Sequence, residues 1–254
     1  MLEVLVVWIL VGLAAQLVDG TLGMAYGVTS TTALTAIGIG PALASASVHT
    51  SEIFTTLVSG TSHFRLGNVR KDMILHLAIP GVIGGVMGAL TAVFLATTRE
   101  LQLIVGCILL FMGVLIFVRF ALKSNLKFKQ ERPKWTAPLG WIAAYLDALG
   151  GGGWGPIATS TLVTNKMEPS KAIGSVNFTE FFVTLAETIT FMVFLGLEQF
   201  DWLIIAGLIV GVLAMAPLAA YACKKIPTKV LGVAVGAIVI IQSIRYVLKY
   251  FRFI

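Results

Sequence analysis

Five acidic side chains interrupt the long apolar runs of this sequence, where little water is available to solvate a charge. They are Asp19, Glu52, Asp147, Glu180 and Glu187. An ionisable group inside a membrane segment is costly, so it usually faces a partner, a cavity or an ion pathway. We interpret all but Glu187 as carboxylates that either couple ion movement or fix neighbouring helix backbones, and we assign Glu187 no role.

Two glycine-rich turns break the helical pattern beside two of these acids. They read DGTLGMAYG at 19–27 and DALGGGGWG at 147–155. Consecutive glycines free backbone amides, and the half-helix that follows carries about half a positive charge at its N-terminus. Two such ends together would attract an anion, as in transporters with broken helices. The predicted substrate-binding residues of the turns are Gly23, Met24, Ala25, Tyr26, Gly27, Gly151, Gly152, Gly153, Trp154 and Gly155.

Two structural alternatives stay open for the turns. The glycines could serve only to let helices pack closely. Asp19 and Asp147 could serve only as caps of the half-helices that follow. Duplication of the turn, with an aromatic residue at the same place in both copies, Tyr26 and Trp154, favours the functional interpretation.

A polar patch precedes each mid-helix glutamate, SASVHTSE at 45–52 and GSVNFTE at 174–180. His49 and Glu52 share a helical face at i, i+3 spacing. We expect both patches at one depth beside the turns, adding hydroxyl, imidazole and amide donors for an anion. No second histidine lies at ligand spacing, so no metal site is predicted. The candidate ligands in the patches are Ser47, His49, Ser175 and Asn177.

The turn and the patch occur twice with the same spacing. A shift of 128 positions aligns Asp19 with Asp147 and Glu52 with Glu180 without a gap. Of the 41 positions from 19 to 59, 13 are then identical. These matches include Asp, Glu, Pro and Gly, which chance similarity between apolar segments would not supply. The chain therefore contains an internal duplication.

Composition places most of the chain in lipid. Hydrophobic residues make up 57% of it, charged residues only 12%, and the mean hydropathy is +0.94. A soluble domain carries about 25% charged residues, and apolar runs without period-2 alternation exclude a β-barrel. The sequence predicts an all-α polytopic membrane protein. The net charge is +6, but the basic residues do not show the pattern with aromatic residues that is typical of a nucleic-acid site. The two cysteines are isolated, which indicates neither a disulfide nor a thiolate metal site. We therefore expect no cofactor.

Loop charge reverses sign between the halves. The loop at 65–72 is basic, whereas its counterpart holds Glu198 and Asp201. Because positive loops face the cytoplasm, this pattern predicts two inverted repeats of about five helical segments, each opening with a broken helix at a Gly-rich turn. The expected divisions are a first transmembrane repeat at 1–122, a basic cytoplasmic linker at 123–134 and a second transmembrane repeat at 135–254. Basic residues near the C-terminus run against this scheme, which puts that end outside.

The duplicated motifs resemble those of the sulfite exporter TauE/SafE family, also called the toluene sulfonate uptake permease family. The resemblance rests on 19–27 followed by 45–52, and on GGGGWGP followed by 169–180. It implies a multi-pass carrier of the cell inner membrane that exports small sulfur-containing anions, such as sulfite or organosulfonates like sulfoacetate. It does not fix the substrate, the direction or the coupling ion.

Two functions other than anion transport are compatible with some of these residues. Five intramembrane acids would also suit a cation or metal-ion transporter. A membrane-embedded enzyme is less favoured, because neither GxSxG nor HExxH occurs. We therefore expect a transporter and not an enzyme, with a small anionic substrate and the lipid bilayer as partners. A homo-oligomer stays open.

Overall fold

Ten α-helices form the part of the chain that the computed structural model describes, which is residues 2–22, 24–96, 98–121, 134–222 and 228–251. Gly23 and positions 123–133 of the predicted linker lie outside these residues. The described residues contain no strand, so the all-α prediction is confirmed. The helices are α1 (Leu2–Leu22), α2 (Tyr26–Ala36), α3 (Pro41–Arg65), α4 (Lys71–Phe94), α5 (Arg99–Ala121), α6 (Thr136–Gly150), α7 (Ser160–Thr164), α8 (Pro169–Leu195), α9 (Trp202–Ala222) and α10 (Thr228–Tyr250).

The helices of the second half follow those of the first at the spacing of the duplication. A π-helical turn, Gly155–Thr159, runs directly into α7, and together they correspond to α2. Both α3 and α8 begin at a proline, Pro41 and Pro169. Proline suits the first turn of a helix because its fixed φ is helical and its missing N–H would have no partner there.

Each half of the chain packs one of its helices against a helix of the other half. The first-half helix α1 packs along α9, and the second-half helix α6 packs along α4. Glycine permits both contacts: a Cβ atom at Gly12 would lie 2.5 Å from the Leu208 carbonyl oxygen, and one at Gly140 would lie 2.8 Å from that of Leu77. Small residues of this kind let helix backbones approach closely within a membrane, where helices gain little from hydrophobic burial.

Equivalent helices of the two halves run antiparallel where they touch. On α3 and α8, His49 contacts Glu187, whereas Gly60 lies against the backbone of Asn177. Residue numbers therefore increase along α3 in the direction in which they decrease along α8. The same holds for α5 and α10, since the Arg99 guanidinium donates a 2.7 Å hydrogen bond to the Tyr250 carbonyl and Gly113 packs against Ile240.

Three helices of the described residues, α4, α5 and α8, are long and apolar enough to cross a membrane. Shorter apolar segments lie in α1, α9 and α10, at Leu5–Asp19, Trp202–Met215 and Gly232–Arg245. Many large apolar side chains on these helices point outward, among them Leu75, Val193 and Ile241. Such a surface is suited to lipid and not to water.

Candidate functional site

The two glycine turns meet at the centre of the molecule. A Cβ atom at Gly27 would lie 2.6 Å from the Cα of Gly152, so the backbones of the two turns touch. The Thr31 hydroxyl donates a 2.5 Å hydrogen bond to the Gly151 carbonyl, which ties α2 to the second turn. Gly155 packs against Met24. The turns of both halves therefore build one site.

Asp19 and Asp147 hold the two breaks in place. The Asp19 carboxylate accepts a 3.3 Å hydrogen bond from the amide of Tyr26, the first residue of α2. The Asp147 carboxylate accepts one from the amide of Gly153. These bonds satisfy amides that the helix breaks leave free, as the capping alternative requires. The second oxygen of Asp147 is buried and accepts no hydrogen bond from the part of the chain that the structure describes.

A small cleft lies between the turns, with about 10 Å³ of free space. That is the room needed for about one water molecule, so this conformation is nearly closed. Both copies of each duplicated carboxylate reach the cleft. Its lining residues are Asp19, Met24, Ala25, Tyr26, Gly27, Glu52, Asp147, Gly152, Gly155, Pro156 and Glu180.

The two aromatic residues of the turns hydrogen-bond to the long helices α3 and α8, and of the two only Tyr26 lines the cleft. The Tyr26 hydroxyl lies 2.8 Å from the Ser51 hydroxyl of α3. The Trp154 indole is fully buried and donates a 3.1 Å hydrogen bond to the Val176 carbonyl of α8. Each ring thus fixes its half-helix to the long helix of its own half. Gly151, Gly153 and Trp154 belong to the second turn without lining the cleft.

Three predicted ligands lie away from the cleft. Ser175 accepts a 2.9 Å hydrogen bond from the Arg70 amide at the start of α4. Asn177 donates a 2.9 Å hydrogen bond to the Ser59 hydroxyl, and the buried Ser47 hydroxyl has no hydrogen-bond partner among the described residues. The expectation that both patches share one depth is wrong. Asn177 lies opposite Ser59, ten residues and about 15 Å further along α3 than His49.

His49 lies behind the cleft and contacts three acidic residues. Its Nδ1 atom is 3.1 Å from a Glu52 carboxylate oxygen and 3.3 Å from a Glu187 carboxylate oxygen. Its Nε2 atom is 3.3 Å from the Asp147 backbone carbonyl. The ring is fully buried and stacks on Phe191. His49 therefore joins α3, α6 and α8 at one point.

Sequence reasoning missed Glu187 because it has no acidic counterpart in the first half. Its burial among apolar neighbours was the available signal, and the structure shows it fully buried against His49. Side-chain atoms of His49, Asp147 and Glu187 lie within 4.8 Å of one another, so a cation could be held among them by spacing alone. We assign no metal to them.

A family model described as "Sulfite exporter TauE/SafE" matches residues 8–246 of the chain. The chain belongs to the TauE/SafE family. It is similar to "Probable membrane transporter protein YtnM" of Bacillus subtilis (strain 168), with 40% identity over 248 residues that cover 95% of this chain and 82% of that protein. No solved structure matches the chain.

Membership in the TauE/SafE family and the apolar helices together identify a multi-pass membrane protein that acts as a transporter. Its partners are the lipid bilayer and a small substrate. The nearly closed cleft between the two broken helices is the candidate substrate site of this TauE/SafE transporter, because broken helices commonly form transport sites.

Proposed function

We propose that the protein is a secondary transporter that exports a small sulfur-containing anion, such as sulfite or an organosulfonate of the sulfoacetate type. The observation that carries this proposal is the meeting of two helix N-termini at one cleft. Ala25, Tyr26 and Gly27 reach it from the start of α2, and Gly155 reaches it from the segment Gly155–Thr164. Two such ends supply roughly one positive charge to an anion.

The four carboxylates of the cleft set a condition on anion binding. An ionised carboxylate within a few ångströms of an anion repels it by several kcal/mol in a poor dielectric. Asp19 and Asp147 accept hydrogen bonds from the Tyr26 and Gly153 amides, so the helix ends offset part of their charge. Glu52 and Glu180 add further negative charge to the cleft, so an anion enters only when a proton is bound at or beside these carboxylates. In this proposal Glu52 and Glu180 take part in coupling through that proton.

The sulfur chemistry of the substrate rests on membership in a family described as sulfite exporters. Export, location in the cell inner membrane and a non-enzymatic role rest on the same membership and stay proposals. A homo-oligomer also stays a prediction.

The proposal includes inverted repeats, because alternating access needs two halves that can exchange roles on either side of a central site. The antiparallel contacts of α3 with α8 and of α5 with α10 support the inversion. A twofold axis that turns one helix into an antiparallel equivalent lies perpendicular to both. The axis would then lie in the plane of the membrane.

A second function, cation or metal-ion transport, is favoured by one specific observation. Asp19, Glu52, Asp147 and Glu180 all line a single cleft, with no basic residue among its lining residues. Carboxylate oxygens are ordinary ligands of hard cations. Under this alternative the carboxylates stay ionised and contact the substrate directly.

A binding screen on purified protein separates the two functions. Sulfite, sulfate, thiosulfate and sulfoacetate would be compared with sodium and nickel by titration calorimetry. The proposal expects saturable binding of a sulfur anion that becomes weaker as pH rises, since ionised carboxylates repel it. Binding of nickel or sodium alone, becoming tighter as pH rises, would overturn it in favour of the cation function.

A further inference from the structure

Two contacts between the repeats involve equivalent positions, and one of them joins ionisable side chains whereas the other joins neutral ones. His49 of α3 pairs with Glu187 of α8. At the equivalent place in the duplication, Asn177 of α8 pairs with Ser59 of α3. The shift of 128 positions relates His49 to Asn177 and Ser59 to Glu187. The described residues therefore contain one titratable bridge between the repeats and, at the equivalent positions, one bridge that cannot titrate.

The hydrogen-bond acceptors around His49 require a bound proton at the ionisable bridge. The Asp147 carbonyl can only accept, so the Nε2 atom of His49, which faces it at 3.3 Å, carries a hydrogen. The Nδ1 atom faces carboxylate oxygens of Glu52 and Glu187 at 3.1 and 3.3 Å. Without a further proton, one nitrogen lone pair would oppose two carboxylates. One proton between His49 and a glutamate turns this repulsion into a hydrogen bond.

Glu187 depends on that proton more than its neighbours do. Both of its carboxylate oxygens are buried and accept no hydrogen bond from the described residues, so the His49 imidazole opposite is what offsets its charge. A buried carboxylate without such a partner is strongly unfavourable. Asp147, by contrast, has a backbone amide as partner, and Glu52 reaches the cleft.

We propose that the bridge of His49 and Glu187 is the proton-coupling site of the transporter and binds one proton for each transport cycle. The proposal rests on the proposed function for its link to substrate. Glu52 provides this link, because it contacts His49 and also lines the cleft. A proton bound at the bridge reduces the negative charge beside the cleft and admits the anion. Its loss restores that charge and expels the anion.

Four other charged groups lie at or near the bridge and take part in its titration. Glu52 faces His49 from α3 and Asp147 faces it from α6. Asp19 of α1 and Glu180 of α8 share the cleft with Glu52. All four are acidic, so each one that ionises strengthens the hold of the bridge on its proton. The bridge is therefore predicted to release its proton only when the cleft is open to water.

Proteoliposomes test the coupling with sulfoacetate as the substrate. A sulfonate stays ionised, whereas sulfite takes up protons itself near neutral pH and would confuse the measurement. With the membrane potential clamped at zero, one coupled proton predicts about tenfold accumulation for each unit of pH gradient. A pH dye inside the vesicles should report proton movement with the substrate.

Glu187→Gln is the diagnostic variant. We expect it to keep the exchange of labelled for unlabelled sulfoacetate and to lose both accumulation by the pH gradient and the dye signal. His49→Gln removes the other partner and serves as the second variant. Ser59→Ala, which breaks the neutral bridge, is the matched control and should keep the pH-driven accumulation. Full coupling in Glu187→Gln, or sulfoacetate movement without protons in the unchanged protein, overturns the proposal.

A measurement without substrate separates this proposal from the proposed function. If no sulfoacetate moves, the proposed substrate fails, and thermal denaturation against pH still decides the proton site. A proton held in the folded state stabilises the protein at low pH and is lost as pH rises, so the melting midpoint should fall with pH, and less steeply in Glu187→Gln. Equal slopes overturn the proton site. Stabilisation by zinc that Glu187→Gln abolishes, with no proton movement, would show a metal site instead.

Discussion

Gly27 and Gly152 touch through their backbones, with a Cβ atom at Gly27 placed 2.6 Å from the Gly152 Cα. Each glycine belongs to the helix break of a different repeat, so this single contact brings both breaks to one point. The contact also shows why glycine occupies these positions. A side chain at either one would push the two half-helices apart and open the cleft between them.

The first prediction concerns the cleft itself. At Gly155 a Cβ atom would lie 3.2 Å from the Met24 Cβ, a contact that a small shift can absorb. Gly155→Ala should therefore fold and weaken sulfur-anion binding by about tenfold, near 1.4 kcal/mol, because the methyl group fills a cleft of about one water. Titration calorimetry measures the change. Gly40→Ala, which meets no atom within 4 Å, is the control; equal affinity in both variants would move the site elsewhere.

Gly152 behaves differently under the same substitution. Its Cβ would overlap the backbone nitrogen of Val28, which has no room to move away. We predict that Gly152→Ala destabilises the protein by about 1–3 kcal/mol, the usual cost of overpacking a core. The melting midpoint in detergent checks this, and an unchanged midpoint would show that the two turns do not pack as described.

Ala25 adopts a backbone conformation that suits glycine. Its φ of 90° is left-handed, and a side chain there costs about 1 kcal/mol. Ala25→Gly should raise the melting midpoint, because it removes that strain at the loss of only one methyl group. A lower midpoint would mean that the buried methyl group contributes more packing than strain.

The capping role of Asp19 can be separated from its charge. Asp19→Asn keeps an oxygen that accepts the hydrogen bond of the Tyr26 amide, whereas Asp19→Ala does not. We expect the asparagine variant to retain stability and the alanine variant to lose about 1 kcal/mol, the usual cost of removing a cap. Comparable losses in chemical or thermal unfolding of both variants would show that the negative charge matters instead.

Membrane topology provides a prediction for the inverted repeats. Asn68 lies against Gly174, near the start of α8, and Gln199 follows the end of α8, so the two residues lie at opposite ends of that helix. In a background with Cys107 and Cys223 replaced by serine, cysteines at Asn68 and Gln199 should react with an impermeant thiol reagent from opposite sides. Labelling of both from one side would contradict the inversion.

Much of the architecture could be predicted from the sequence because duplication is visible in residue types. The motif spacing anticipated the helix breaks and placed Pro41 and Pro169 at equivalent positions, which the structure shows as helix starts. The turns, Glu52 and Glu180 were predicted together, and all reach one cleft. Glu52 and Glu180 lie close because both sit near the middle of the antiparallel pair of helices.

The same symmetry explains what the sequence could not reveal. Residues away from the middle of an antiparallel pair move apart, so His49 faces Glu187 while Asn177 faces Ser59. Two residues that are aligned in the duplication are therefore expected to have similar surroundings, but they need not touch each other. The partner of His49 is the residue aligned with Ser59, and no motif marks Glu187 as that partner.

Locating a heavy-atom analogue in crystals would show whether a sulfur anion binds between the two glycine turns. Selenite resembles sulfite, bromoethanesulfonate resembles an organosulfonate, and both give anomalous diffraction from crystals of the protein. If the anion binds there, one strong peak lies between Ala25 and Gly155 and is displaced by an excess of sulfite or sulfoacetate. A displaceable peak at any other place, with the cleft empty, would contradict binding between the turns.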